Sequence, residues 1–390
     1  MKINRFILSC LLASSLVACK EPKENTDKND KVVAKREPEV PKIIIDEYAT
    51  LRAQMMAGIE PSNKMGLDSI FNLPATKQHY QEFNSSWENL ETKHLSKLRA
   101  WRDSEMKDMT AREGSNLFYP FSGPDFLNVY TFFPNCDNYL MFGLEQPGQL
   151  PGDLSKLPAG YLQGIRSAIA TIMERNYFIT SEMGNKLWGK GVLPIVNIFM
   201  ARTGNKIVKI ERFYLEKDGT AKTFPLEDEK GVAAKGKEIV GITIEFINEK
   251  RTKTQRIYYV GSDVADEKMK SKMELVTFIN SFKNKMAFIK SASYILHNTN
   301  FATMRNIVLQ NTDAVLQDDT GVRYKDFVDG GWKVDLYGKY ARAVADFGGY
   351  TYQPAAAEAF KKDSAVKKID FTFGYHWKTD HTSLFIARKK

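Results

Sequence analysis

Three small groups of residues in this 390-residue chain have the types and spacing that chemistry would need. The first is Ser122 with Asp125, in Phe121-Ser122-Gly123-Pro124-Asp125. A proline-led helix starting here would turn its free N–H groups toward Ser122. That arrangement could hold an oxyanion or phosphate beside a nucleophilic hydroxyl. The glycine pattern of a nucleophile elbow is absent, however, and Ser-Gly before such a helix also meets the need for a cap. The second group is Asp318-Asp319 of "LQDDTGVRY", with His297 of "YILHNTN" as a neighbour. Carboxylates at a strand end can serve acid–base work, although Asp-Asp-Thr-Gly also reads as a plain turn. The third is "GYHWKTDHTS" near the C-terminus. A hairpin looping from Trp377 to Asp380 would set His376 opposite His381, and with Asp380 they could bind a metal or move protons. A third firm ligand is missing, so neither a metal nor a cofactor is predicted. His79 and His94 fall inside a helical pattern and read as packed or exposed helix residues.

These groups need elements to position them. Residues 43–57 suit a helix that ends before Gly58 and Pro61. Residues 76–109 suit a long amphipathic one, with Tyr80, Phe83, Trp87, Leu90, Leu95, Leu98 and Trp101 recurring at helical intervals. Residues 158–202 read as two or three helices broken at Gly184, Gly189 and Gly191. The period then changes. "KIVKIERFYLE", "EIVGITIEFINE" and "TQRIYYVG" alternate apolar with polar, and no helix separates them, so they predict an antiparallel sheet. Beyond residue 268 "MELVTFINSFKNKM", "FATMRNIVLQNT" and "PAAAEAFKKD" fit helices, while "AFIKSASYILH", "AVLQ" and "WKVDLYGKY" fit strands. "IDFTFGYHWKTDHTSLFIARK" closes the chain as the hairpin named above. The expected fold is α+β: a helical N-terminal half packed beside a largely antiparallel β-sheet, in one globular part from 43 to 390 whose character changes near 203.

Nine aromatic residues crowd the stretch from Phe118 to Phe142. The helix predicted between Pro124 and Pro134 has only Asn128 and Thr131 as polar residues, and "NYLMFGL" is an apolar run suited to a strand covered on both faces. This stretch is therefore expected at the centre of the core, with any function confined to its edge at Ser122 and Asp125.

Composition limits the remaining choices. The chain is 43% hydrophobic and 26% charged, as a globular protein is. Its formal charge of +9 includes Lys2 and Arg5, so the rest carries 9 − 2 = +7. Basic residues are dispersed among acids instead of clustered, and no nucleic-acid partner is expected. No P-loop, G-x-G-x-x-G, H-E-x-x-H or EF-hand loop is present.

The N-terminus, "MKINRFILSCLLASSLVAC", has a basic start and an apolar stretch from Phe6 to Ala18. That is the form of a secretory signal peptide. Its last four residues, Leu16-Val17-Ala18-Cys19, resemble the lipobox of bacterial lipoproteins. The resemblance implies cleavage after residue 18, lipidation of Cys19, and anchoring to a membrane by acyl chains. Lys20 in the next position implies onward sorting to the outer membrane. Residues 20 to 42 hold seven basic and six acidic residues and three prolines, the composition of a solvated tether. Cys10 leaves with the signal peptide, so the exported part keeps Cys136 alone, as a buried small hydrophobe or a free thiol. "FYPFSGPDFL" and "SASYILHNTNF" resemble stretches of exported bacterial proteins and imply no particular activity. The function expected is that of a lipid-anchored, non-enzymatic envelope protein that binds a protein or envelope-polymer partner. The alternative is a lipid-anchored hydrolase of envelope polymers or esters.

Overall fold

The computed structural model describes residues 42–175, 191–348, 351–376 and 378–390. The expected signal segment, Cys19, the expected tether up to residue 41, Gly184, Gly189 and Trp377 lie outside the described residues. Residues Ile43–Lys390 form one compact unit, and among the described residues no helix is long and apolar enough to cross a membrane.

The fold mixes α and β around one ten-stranded sheet. In chain order its strands are β1 (Asn116–Tyr119), β2 (Asn138–Gly143), β3 (Asn205–Leu215), β4 (Ala221–Pro225) and β5 (Ile239–Asn248). They continue with β6 (Gln255–Gly261), β7 (Lys285–Ile289), β8 (Ala314–Asp318), β9 (Lys333–Gly338) and β10 (Ser383–Arg388). The order across the sheet is β4-β3-β5-β6-β2-β1-β7-β8-β10-β9. Five of the nine pairings are antiparallel. The other four are parallel and join β6, β2, β1, β7 and β8 in the middle. The expected β3, β5 and β6 meander is present, with Asp218-Gly219 turning β3 into β4, a strand not anticipated. The strand expected at "NYLMFGL" is β2, but β1 and the parallel pairing at the centre were not anticipated, since both lie in the half expected to be helical.

The two faces of the sheet bury different layers. On one face Leu117, Tyr119, Tyr139, Met141 and Phe288 meet helices α1 (Glu47–Met56), α2 (Pro74–Leu90), α3 (Ser96–Glu105), α4 (Phe126–Phe132), α5 (Tyr161–Arg175) and α6 (Leu193–Arg202). On the other face Phe118, Leu140, Phe142, Ala287 and Ile289 meet α7 (Met273–Ser281) and α8 (Ala302–Asn311). This alternation follows from the period of two along a strand. Every residue of α4 is buried, as its thin polar stripe predicted, and β2 is apolar on both faces. Phe126, Phe132, Phe133, Tyr139 and Phe142 are wholly enclosed. Each contributes about 1.5–3 kcal/mol of apolar burial, so the aromatic stretch is the centre of the fold.

The long helix expected over 76–109 runs from Pro74 to Glu105 through a wide turn at Glu91–Leu95. The helix expected over 273–286 stops at Ser281, and Lys285 and Met286 join β7. The terminal hairpin is overturned. Residues before Ser383 form loops and a short turn at Thr379–His381, and β10 pairs with β8 and β9. The cause is tertiary: Phe371 packs edge-on against Trp101, and Phe373 against Phe132 and Phe288. Burial of these rings outweighs the local alternation that suggested a strand.

Candidate functional site

Between β1 and β2 the chain crosses by α4 on one face, and between β7 and β8 by α8 on the other. β1 and β7 are neighbours whose connections leave toward opposite faces. In an open α/β sheet such a switch point opens a crevice at the carboxyl ends of the strands, where ligands bind. A cavity of about 370 Å³ lies there, lined by the segments that follow β1, β2, β6 and β7, and by Tyr375.

At this switch lies the pair Asp125–Lys290. Asp125 caps α4: its Oδ1 accepts the backbone N–H of Asn128 at 3.2 Å and the side-chain Nδ2 at 2.8 Å. Its Oδ2 meets the Lys290 ammonium at 2.6 Å, with both side chains only 2% exposed. The Tyr119 hydroxyl lies 3.4 Å from the same oxygen. Burial first, and the Asp125 charge second, hold that phenol far above its usual range. A buried ion pair of this kind is tolerated only when its remaining valences are filled, as Asp125 shows.

Lys290 opens a strained turn. Ser291, Ser293 and Tyr294 have φ of 54°, 52° and 58°, in the left-handed region that non-glycine residues avoid. The end of β8 holds this turn in place. Asp318 Oδ2 accepts the Ser291 N–H at 2.9 Å. Thr320 accepts the N–H of Ala292 through Oγ1 at 2.7 Å and that of Tyr294 through its carbonyl at 3.1 Å. From the other side the Tyr375 hydroxyl donates to the Ser291 carbonyl at 2.9 Å. Gly374 sits so close to Asp318 that a Cβ there would lie 2.0 Å from its Oδ2, and its φ of +64° favours glycine as well. Burial, and next the charge of adjacent Asp319, push the Asp318 carboxyl up.

Asp319 gathers a second set of partners: His376 Nε2 at 2.7 Å, Ser383 Oγ at 3.3 Å, and the Tyr294 hydroxyl. Burial pulls the His376 imidazole down, but the hydrogen bond and charge of Asp319 outweigh it and the net shift is upward. The structure thus brings Asp318, Asp319 and His376 together behind the cleft, where they position the turn after β7. His297 lies near them, edge-on to Tyr294 at 5.3 Å between ring centres. Burial first and the Arg323 charge second push it down to about 4.

His376 does not meet His381 as the hairpin would have required. Its partner is Asp319, while His381 stands 3.8 Å from Asp380 on the surface. Among the described residues no group of three or more His, Cys, Asp or Glu is placed to hold a metal ion. Ser122 lines the cleft, but the cap of α4 is Asp125, so the capping expectation for Ser122 is corrected. Its hydroxyl has the Phe142 carbonyl at 3.0 Å and its neighbour's carbonyl at 2.9 Å as acceptors, and among the described residues no imidazole is hydrogen-bonded to it. Cys136 is enclosed and its thiol pushed up to about 12 by burial.

Sequence reasoning missed Lys290, Ser291, Glu145 and Tyr375. Lys290 and Glu145 each follow an apolar run directly, "KMAFI" and "NYLMFGL", and polar residues at the carboxyl ends of parallel strands are site candidates. That signal needs the parallel centre to be known. Comparison with family models, curated proteins and solved structures finds no match for this chain.

Proposed function

We infer that this chain is a lipid-anchored protein of the bacterial envelope, tethered through Cys19, whose exported domain binds a small polar ligand in the cleft between β1 and β7. The lipobox-like N-terminus supports the address. One observation carries the binding reading: a cavity of about 370 Å³ at the switch point of the sheet, into which a buried ion pair and several hydroxyls converge. A serine hydrolase reading has less support, since the Ser122 hydroxyl faces backbone carbonyls instead of a base. Native mass spectrometry of the chain purified from its own membranes tests the reading. A small molecule should accompany the wild type and be lost from Ser262→Trp, which fills the rim of the cleft. A wild type that carries nothing, and gains nothing when incubated with an extract of envelope metabolites, would refute it.

A further inference from the structure

We propose that the cleft takes a nucleoside whose 5′ substituent is cationic, an ammonium or sulfonium, and rejects phosphorylated nucleosides; this rests on the binding role assigned to the cleft above. The first support is topological. Counted in chain order, the parallel strands β1, β2, β6, β7 and β8 lie in the spatial order 3-2-1-4-5. That is the arrangement in which open α/β sheets bind nucleotides across the first switch point. In such sheets the turn after the first strand approaches the ligand through glycine, and an acidic side chain about 20 residues further on accepts the ribose hydroxyls.

Both parts are present here in altered form. The turn after β1 carries Gly123, with φ of +46°. Glu145 follows β2, 145 − 123 = 22 positions later. The tertiary structure brings the two together: a Cβ on Gly123 would lie 3.7 Å from Glu145 Oε2, and one on Gly143 would lie 2.9 Å from it. Among the described residues no hydrogen bond or ion pair reaches this carboxylate, whereas its backbone carbonyl is taken by the Tyr259 hydroxyl. A half-buried acceptor with two unfilled oxygens beside a glycine turn suits a vicinal diol.

The altered part decides the rest of the ligand. A pyrophosphate site presents bare N–H groups at the helix start. Here the start of α4 is filled by the Asp125 carboxylate, which already accepts the Asn128 N–H. Among the described residues that line the cleft, Asp125, Glu145 and Asp263 stand against Lys290, a formal balance of 1 − 3 = −2. The Lys290 charge is committed to Asp125 at 2.6 Å. An anionic tail entering this cleft meets unneutralised carboxylates in a poorly hydrated place, and a cationic one is drawn in. Phe121 and Phe301 pack edge-to-face across one wall, at 6.3 Å between centres, and offer an apolar surface for a base. Ser291 adds a hydroxyl whose oxygen is enclosed and without a partner among the described residues.

Calorimetric titration of the detergent-purified chain with a charge series on one scaffold tests the assignment: 5′-amino-5′-deoxyadenosine, adenosine and AMP. Affinity should fall in that order, by on the order of 10-fold per unit of charge. Removing both ribose hydroxyls from the amino compound should weaken it by about 10- to 100-fold, and Glu145→Gln should do the same. The ligand-side change needs no protein variant, so a misfolded Glu145→Gln cannot hide the result. AMP binding as tightly as the amino compound would overturn the charge assignment while leaving a nucleoside-binding cleft. Equal binding of the dideoxy compound would overturn the role of Glu145. Glucosamine matching the amino nucleoside would overturn the need for a base. If none of the series binds yet the native chain carries a small molecule lost in Ser262→Trp, the nucleoside assignment fails and the binding role stands.

Discussion

Breaking the buried pair between Asp125 and Lys290 should cost far more than its surface counterparts. The two side chains are 2% exposed and 2.6 Å apart, so neither charge can be rehydrated once its partner is gone. Lys290→Met leaves Asp125 with the Asn128 N–H, the Asn128 amide and the Tyr119 hydroxyl, at 3.2, 2.8 and 3.4 Å. Those donors solvate part of the charge, which places the cost near the lower end of the range for a broken buried pair, about 3 kcal/mol. Asp125→Asn removes the carboxylate from the ammonium and puts an amide in the same volume, at about 3–5 kcal/mol. The double variant removes both charges, so its cost should fall short of the sum of the singles by at least about 1–2 kcal/mol. Urea unfolding of residues 43–390, followed by tryptophan fluorescence and by circular dichroism so that the two transitions can be compared, gives the cycle. Single variants that cost under about 1 kcal/mol, or a strictly additive double, would show that the pair is hydrated and that the cleft floor is not a low-dielectric place.

His79 is wholly buried, with burial first and the Arg166 charge second pushing it down to about 4 from 6.5. A depressed histidine is neutral in the fold and takes up its proton on unfolding, so stability falls as pH drops below 6.5, by roughly 2 kcal/mol at pH 5. His79→Gln should shrink the loss in unfolding free energy between pH 7.5 and pH 5 by that amount; an unchanged slope would mean that the imidazole is protonated in the fold. His376 acts in the opposite sense, its contribution being present below the unfolded value and lost as pH rises through its raised folded one. If Cys19 carries the proposed acyl chains, Cys19→Ser should move the protein from the membrane fraction to the supernatant of broken cells, because the buried hydrocarbon that would hold it at the membrane is lost. Unchanged fractionation would sink the lipoprotein reading.

Local pattern alone was enough to place many elements. The β3–β5–β6 meander, α8, β8 and the fully buried α4 are all short-range matters of period, caps and turns, and each is found where those signals put it, while α1 starts four residues later than expected, at Glu47 after its Asp46 cap. The aromatic stretch was legible as core because a helix with one thin polar stripe has no face to offer water. The site was only half legible. Ser122 and Asp125 are legible as the edge of that core, and both line the cleft, but the capping role expected of Ser122 belongs to Asp125, and the Ser122 hydroxyl is turned onto carbonyls. Asp318 and Asp319, with His297 as their neighbour, fall in one sequence group and His376 in another, and the meeting of the two groups depends on residues 57 positions apart, Asp319 and His376, being joined by a loop that sequence alternation presents as a hairpin. Lys290 and Glu145 carried no signal by themselves. Their importance comes from strand order: a parallel pairing of β1 with β7 puts the ends of distant segments side by side, and no local periodicity encodes which strand a given strand will choose as its neighbour. The core and the element types are written in short stretches of this chain, while the cleft exists only because tertiary packing sets the crossovers of β1 and β7 on opposite faces of the sheet.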